Sequence, residues 1–129
     1  MIVDTSALLA VLLEEDDSET YLDAMLDAER VRISAASAVE LGIVAIIKAG
    51  ADAELKIDLL LRRMDAEIVS VDAAQATFAR SAFRTFGKGR HKAQLNFGDC
   101  FSYTLSKMSN EPLLYKGKDF ARTDVISAL

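Results

Sequence analysis

Five acidic residues occupy positions at which carboxylates could share a metal ion. Asp4 directly follows a short apolar strand, Glu40 lies near the start of the helix after the second strand, and Asp99 lies in the opening turn of the helix before the fourth. Asp119 lies in the turn after the fourth strand, and Asp124 follows shortly. In a parallel sheet, the C-terminal ends of the strands and the helix N-termini after them lie at one edge. We therefore expect these carboxylates to converge on a single rim.

Carboxylates held close together repel one another unless a cation offsets their charge. Oxygen ligands without His or Cys favour Mg²⁺ or Mn²⁺, which are bound through few carboxylates and several waters. A site of this kind can activate water and stabilise an in-line displacement at phosphorus. The acids therefore predict a metal-assisted phosphodiesterase with Mg²⁺ or Mn²⁺ as its cofactor.

Each acid also has an ordinary structural explanation. Asp4 could cap the first helix, and the segments Ser37–Glu40 and Asn96–Asp99 both match the spacing of a capping box. Asp119 could be a simple turn residue. The alternative hypothesis is therefore a non-catalytic protein-interaction module on the same α/β scaffold, whose acids cap helices and bind metal only weakly.

The distribution of charge indicates a second candidate site. The formal net charge of −5 excludes a broadly basic nucleic-acid binder. Residues 1–72 carry 16 acids and 6 bases, whereas residues 73–98 carry 5 bases and no acid. We call residues 73–98 the basic segment, which can attract a polyanion locally or form an ordinary solvated surface. Its candidate backbone-binding residues are Arg84, Lys88, Arg90, His91 and Lys92.

The scarcity of cysteine and histidine excludes several kinds of site. Cys100 is the only cysteine and His91 the only histidine, so an internal disulfide and a zinc site of the Cys/His kind are both excluded. This composition suits a reducing cytoplasm. Cys100 falls on the core side of its helix, so we interpret it as an inert buried thiol. The apolar runs Ala7–Leu13 and Leu41–Ile47 are far shorter than the ~20 residues that span a bilayer, so we expect no membrane association.

Short apolar strands alternate with longer helical patterns along the chain. The strands are predicted at Met1–Val3, Val31–Ser34, Glu67–Val71, Leu113–Tyr115 and Asp124–Ile126. The helices are predicted at Ala7–Glu14, Ser18–Ala28, Ser37–Ala49, Asp52–Met64, Ala73–Phe86 and Phe97–Met108. This alternation predicts one α/β domain over residues 1–129, a three-layer α/β/α sandwich with a mainly parallel central sheet. The helix Ser37–Ala49 is apolar nearly all round, so we expect it to be buried.

Several segments together resemble a known family. They are Ile2-Val-Asp-Thr-Ser-Ala, Val39-Glu, Gly87-Lys-Gly-Arg-His, Leu95-Asn-Phe-Gly-Asp-Cys and Leu114-Tyr-Lys-Gly-Lys-Asp-Phe-Ala-Arg-Thr-Asp. In these segments the chain resembles a PIN-domain ribonuclease and, more narrowly, the toxin half of a VapBC-type toxin–antitoxin pair. The resemblance covers essentially the whole chain, and the segments around residues 95–100 and 116–120 are its most specific parts.

The resemblance implies an α/β/α fold and a Mg²⁺- or Mn²⁺-dependent site that cleaves RNA. According to this resemblance, Asp4 and Asp99 are the principal metal ligands and Glu40 is the second acid of the site. Related sequences often place an acid where Lys118 stands here, so the fourth acid is assigned to Asp119, with Asp124 in reserve. By the same resemblance, the supporting polar groups are Thr5, Ser6 and Asn96.

The resemblance also implies partners. They are an RNA substrate, a cognate antitoxin that blocks the site, and a second toxin molecule, so a homodimer and a toxin–antitoxin hetero-oligomer are expected. The apolar first helix and the acidic residues 14–19 could form contact surfaces, although the acidic run could equally be a solvated loop. No residue type specifically recognises a 2′-hydroxyl, so a nuclease that acts on DNA remains an alternative.

Overall fold

The computed structural model describes residues 1–129 and contains four strands and six helices. The strands are β1 (Ile2–Val3), β2 (Arg32–Ser34), β3 (Glu67–Val69) and β4 (Leu113–Leu114). The helices are α1 (Thr5–Leu12), α2 (Ser18–Leu26), α3 (Ala35–Ala49), α4 (Ala53–Arg63), α5 (Ala73–Phe86) and α6 (Phe97–Ser109), and a 3₁₀ turn covers Phe120–Arg122. No helix is both long and apolar enough to cross a membrane.

The strands form one parallel sheet in the order β3-β2-β1-β4. Ile2 pairs with Arg32 on one side and with Leu113 on the other, so β1 lies between strands that are distant in sequence. The chain extends the sheet in one direction through β2 and β3, and then returns to add β4 on the opposite side of β1. This reversal next to β1 is the topological switch point at which α/β sheets of this kind bind ligands.

Helices cover both faces of the sheet, which confirms the predicted three-layer sandwich. Successive side chains of a strand point to opposite faces: Val3 and Leu114 join the hydrophobic cluster beneath α1–α4, whereas Ile2 and Leu113 join the cluster beneath α5 and α6. All four side chains have no measurable exposure to solvent. The apolar strand residues therefore hold the two layers of helices in fixed positions around the strand ends.

The C-terminal segment differs from the prediction of a fifth strand at Asp124–Ile126. The structure has only an isolated parallel bridge between Leu113 and Ser127. Two backbone bonds accompany it, from the Leu113 N–H to the Ile126 carbonyl at 2.8 Å and from the Ala128 N–H to the Leu113 carbonyl at 3.0 Å. The segment therefore meets the two-residue strand β4 at a single bridge and does not form a fifth strand. The predictions for β3 and β4 are also too long at their C-terminal ends. The observed strands end at Val69 and at Leu114.

The burial predicted for helix α3 is wrong over most of its surface. Only Ser37, Leu41 and Ala45, spaced four residues apart, are fully buried. The side chains of Val39 and Ile47 are 64% and 78% exposed. An outer helix of a sandwich buries one stripe against the sheet, so the large apolar residues on the opposite side of α3 face solvent.

Candidate active site

Asp4 is fixed at the end of the central strand. The residue follows β1, caps α1 and is 3% exposed. Its Oδ2 accepts hydrogen bonds from the Ser6 N–H at 2.9 Å and from the Ser6 hydroxyl at 2.6 Å. The Ser6 hydroxyl oxygen in turn accepts a bond of 3.0 Å from the Lys116 N–H, just beyond β4. The predicted cap is confirmed, and the same contacts orient the carboxylate at the switch point.

Glu40 reaches the same edge from the second turn of α3. Its Oε2 accepts a hydrogen bond of 3.0 Å from the Thr5 hydroxyl, which is buried at the start of α1. The carboxylate also lies against the backbone of Gly98, where a Cβ would overlap it. Burial first, and then the negative charge of Asp4, raise the pKa of Glu40 above its usual value. The carboxylate is therefore held between the N-terminal ends of α1 and α6.

The capping box predicted for Ser37 and Glu40 is wrong. Helix α3 begins earlier, at Ala35, with Ser34 in the capping position. The Ser37 hydroxyl is instead fully buried and lies 3.1 Å from the Ser102 hydroxyl of α6. Glu40 is therefore free of a capping role, and the Ser37–Ser102 contact ties α3 to α6 beneath the acids.

Asp99 forms the predicted capping box with Asn96 and still faces the other acids. The Asn96 N–H donates to Asp99 Oδ2 at 2.8 Å, and the Asp99 N–H donates to Asn96 Oδ1 at 2.9 Å. Burial first, and then the charges of neighbouring acids, raise the pKa of Asp99 to about 7. Those neighbours are Asp4, Glu40 and Asp119. A cap and a functional carboxylate are thus compatible in one residue.

The two candidates for the fourth acid lie in different places. Asp119 is exposed in the turn before the 3₁₀ helix, near enough for its charge to act on Asp99. Asp124 accepts a hydrogen bond of 2.7 Å from the Tyr103 hydroxyl and forms an ion pair of 3.0 Å with Lys107. The structure therefore groups Asp119, and not Asp124, with the other three acids.

We call Asp4, Glu40, Asp99 and Asp119 the acidic group. None of its members forms an ion pair with a lysine or arginine. No three His, Cys, Asp or Glu side chains converge closely enough to enclose a metal ion on their own. The carboxylates affect one another through space without touching. Such spacing is compatible with an ion that keeps several waters, as Mg²⁺ does.

Lys116, for which the sequence predicts no role, holds the acidic run after α1. Its ammonium group forms ion pairs with Glu15 and, at 2.5 Å, with Asp17. Part of the run at residues 14–19 is therefore tied to the turn that follows β4 and is not simply solvated. The charge of Lys116 is therefore already neutralised by partners outside the acidic group. Sequence alone offers no signal for the pairing of Lys116 with Glu15, because about a hundred residues separate them.

The cations of the basic segment are exposed and free of ion pairs. Arg80 and Arg84 lie on α5, and Lys88, Arg90 and Lys92 lie in the loop before α6. His91 differs from them: its ring lies edge-on to Phe86 at 5.1 Å, and its Nδ1 accepts a hydrogen bond from the Ala93 N–H. The five cations can contact phosphates directly, while one nitrogen of His91 is occupied in shaping the loop.

The sequence matches a known protein family over nearly its whole length. The PIN domain family model matches residues 1–126. Ribonuclease VapC30 from Mycobacterium tuberculosis is 48% identical over 126 residues, which cover 97% of this chain and 95% of that protein. Ribonuclease VapC from Mycolicibacterium smegmatis is 48% identical over 125 residues, or 97% of each chain.

Two solved structures share the fold at low sequence identity. Mycobacterium tuberculosis VapC20, described as a Sarcin-Ricin loop cleaving toxin, gives a TM-score of 0.81 at 15% identity, over 97% of this chain and 95% of that one. A chain of a toxin–antitoxin complex from Klebsiella pneumoniae gives a TM-score of 0.73 at 15% identity, over 99% of this chain and 97% of that one. The sheet order, the strand-end acids and these matches together show that the chain belongs to the PIN domain family, within its VapC group.

Proposed function

We propose that this chain is an endoribonuclease toxin that hydrolyses RNA phosphodiester bonds with the help of Mg²⁺ or Mn²⁺ and is neutralised by a cognate antitoxin. One observation carries the proposal: four carboxylates from separate parts of the chain lie at one sheet edge, and none of them is paired with a cation. Their mutual repulsion is a cost that a bound divalent ion offsets.

The residues present fit a hard divalent cation. Asp4 and Asp99 would hold it, with Asp119 as a further ligand or a partner through water, because all three offer oxygen donors and no nitrogen or sulfur competes. When bound, the ion would polarise the scissile phosphate and activate water. Ser6 holds the Asp4 carboxylate in place, and Asn96 does the same for Asp99.

Glu40 is suited to orient the attacking water and to accept its proton. The Thr5 hydroxyl fixes one carboxylate oxygen, and burial raises the pKa of Glu40, which makes its carboxylate a stronger base. The exposed cations of the basic segment would hold the RNA backbone on either side of the cleaved bond. Acid–base chemistry and backbone binding are thereby assigned to different elements.

The decisive experiment is cleavage of single-stranded RNA in Mg²⁺ or Mn²⁺. We expect cleavage to disappear in EDTA and to fall by at least about 100-fold in Asp4→Asn. Asp23→Asn on α2 is a matched control, since Asp23 is exposed and forms no ion pair. Cleavage that survives both EDTA and Asp4→Asn would contradict the proposal. A DNA strand of the same sequence tests the choice of substrate, and we expect it to remain intact.

The second candidate function is a non-catalytic interaction module, which the helix caps at Asp4 and Asp99 favour. Titration calorimetry separates the two functions. A catalytic site binds Mn²⁺ more tightly in the wild type than in Asp99→Asn, whereas simple caps give equal and weak binding in both proteins.

We further propose that protein partners cover the exposed apolar stripe on α3, formed by Val39, Ile43 and Ile47, with the antitoxin as one partner and a second toxin molecule as another. Isolated apolar residues are normal on a surface, but three at four-residue spacing form a continuous stripe. Co-expression with a neighbouring antitoxin gene should abolish RNA cleavage. Sedimentation of the purified chain tests the homodimer, and a monomer at all concentrations would exclude it.

A further inference from the structure

A groove of about 560 Å³ runs between α5 and α6. Three phenylalanines line it: Phe83 from α5, and Phe97 and Phe101 from α6. The rings of Phe97 and Phe101 meet edge to face, with their centroids 5.0 Å apart. The groove is therefore an aromatic surface of a size that can accept a small planar group.

Phe97 is the most unusual residue of this groove. It is the first residue of α6, two positions before Asp99, and 79% of its surface is exposed. None of the three phenylalanines belongs to either hydrophobic cluster of the protein. The fold thus leaves an aromatic ring in water at the start of the helix that carries a proposed metal ligand, although burying it would be favourable.

Arginines lie beside the same groove. A second hollow of about 400 Å³ is lined by Thr77, Arg80, Phe83, Arg84 and Arg90, so it shares Arg80 and Phe83 with the groove. All three arginines are exposed and none has an acidic partner. Aromatic faces beside unpaired cations form the combination that binds single-stranded nucleic acid.

We propose that the α5–α6 groove holds one unstacked base of a single-stranded RNA, while Arg80, Arg84 and Arg90 contact the adjoining phosphates. This inference rests on the proposed function, because it takes RNA as the substrate class. A base held in the groove must leave its stack, so the RNA has to be unpaired at that nucleotide.

Charge favours RNA over a second copy of this chain as the occupant. A twofold interface places the same surface of each copy against the other. Such an interface through this groove would bury the cations Arg80, Arg84 and Arg90 of both copies, and the basic segment supplies no acid to pair with them. The repulsion that opposes this pairing becomes attraction when the occupant carries phosphates.

The test combines base removal in the RNA with ring removal in the protein. A short fluorescein-labelled single-stranded RNA is made with an abasic ribose at each position in turn, and binding is measured by anisotropy in EDTA at low salt, where the RNA stays intact. For the wild type we expect binding to weaken by roughly 5- to 100-fold at one position and little elsewhere, since a stacked base contributes that much. Phe97→Leu should weaken binding of the intact RNA by a similar factor. Removing the base at the sensitive RNA position should then weaken binding to Phe97→Leu no further.

Two variants make the result specific to the aromatic ring. Phe97→Tyr keeps the ring and should retain the wild-type pattern. Leu55→Ala on α4 removes an apolar side chain that is 64% exposed and has no part in either proposed site, and it should behave as wild type. A flat abasic scan with the wild type, despite RNA binding and cleavage, would overturn the groove and leave the proposed function intact.

Two other outcomes have separate meanings. If Phe97→Leu binds RNA normally but loses self-association in sedimentation, the groove is a protein interface and the inference is wrong. If the wild type neither binds nor cleaves RNA, the proposed function fails, and the groove assignment fails with it.

Discussion

At the scale of single residues, one acid can both cap a helix and belong to the acidic group, although the sequence patterns suggest these two roles as alternatives. Asp4 and Asp99 both cap helices, and both also face the acidic group. The Asn96–Asp99 box was predictable because its two partners are three residues apart. The Ser37–Ser102 contact and the placement of Glu40 against Gly98 were not predictable, because each joins residues that are more than fifty positions apart.

The raised pKa of Asp99 gives a prediction for the metal-free protein. The folded chain holds the Asp99 proton more tightly than the unfolded chain, so this group stabilises the fold below about pH 4, and that contribution is lost as the pH rises through about 7. Asp99→Asn should therefore raise the free energy of unfolding at pH 8 in EDTA by roughly 1–3 kcal/mol. Urea unfolding of both proteins at pH 4 and pH 8 measures it.

The Asp23→Asn variant controls for the loss of one negative charge, and its stability should not change. Added Mn²⁺ should reverse the order of stability, because it stabilises the wild type by binding to the folded state and has less effect on Asp99→Asn. A wild type that is the more stable protein in EDTA at pH 8 would contradict the prediction.

Gly98 gives a second prediction at this scale. A Cβ at residue 98 would overlap the end of the Glu40 side chain, which can move away, so the cost should appear in activity more than in stability. We expect Gly98→Ala to reduce RNA cleavage by on the order of 100-fold, as misplaced catalytic groups do. Thermal unfolding should be nearly unchanged, because alanine favours the helix.

Gly42→Ala is the matched control for Gly98→Ala. Gly42 lies on the same helix as Glu40, and a Cβ there meets no atom within 4 Å. Its cleavage rate should equal that of the wild type. Equal cleavage by the Gly98→Ala protein would show that the position of Glu40 is unimportant.

At the scale of elements, α6 connects the parts of the site. Its N-terminus carries Asp99, its middle binds α3 through Ser102, and its outer side forms the aromatic groove with α5. The amphipathic pattern predicted the extent of this helix closely. The full burial predicted for α3 failed because composition does not reveal how many layers lie above a helix, and here nothing in the chain covers its outer side.

The junction between α5 and the basic loop gives an element-scale prediction. Gly87 follows α5 and is buried, and a Cβ at this position would overlap the backbone carbonyl and the ring of Phe83. Unlike Glu40 beside Gly98, this backbone carbonyl cannot rotate away. Gly87→Ala should therefore destabilise the fold by about 1–3 kcal/mol. The measurement is the urea midpoint, and a midpoint equal to that of Gly42→Ala would refute the close contact.

At the scale of the whole molecule, charge separates into regions with different roles. The net charge of −5 hides an acidic N-terminal half and a basic segment without acids. This separation was visible in the sequence. The pairing of Lys116 with Glu15 and Asp17 was not, because it depends on how the turn after β4 meets the end of α1. Strand order could be anticipated only as far as parallel pairing, since nothing local encodes the return of β4 beside β1.

The basic segment leads to a prediction about salt. Lys88→Glu combined with Arg90→Glu should weaken RNA binding and flatten its dependence on salt concentration, by about 0.7 in the logarithmic slope for each phosphate that the variant no longer neutralises. Mn²⁺ affinity should stay nearly unchanged. Anisotropy across a salt series and calorimetry measure the two quantities.

The control for this charge change is Arg62→Glu with Arg63→Glu at the end of α4. Both arginines are exposed and unpaired, and they lie outside the basic segment. An equal change of slope in both double variants would mean that RNA senses only the total charge of the molecule.

The pairing of β1 with β4 also has a consequence for the time at which the protein becomes active. Ile2 meets Leu113, and the acidic group joins residue 4 to residue 119, so the site closes a loop that spans nearly the whole chain. Contacts between residues so far apart in the chain carry a large loop-closure entropy cost, so they form late in folding. If the chain is the proposed ribonuclease, it cannot assemble its site until Asp119 has been synthesised, and recovery of RNA cleavage during refolding should follow the slowest folding phase.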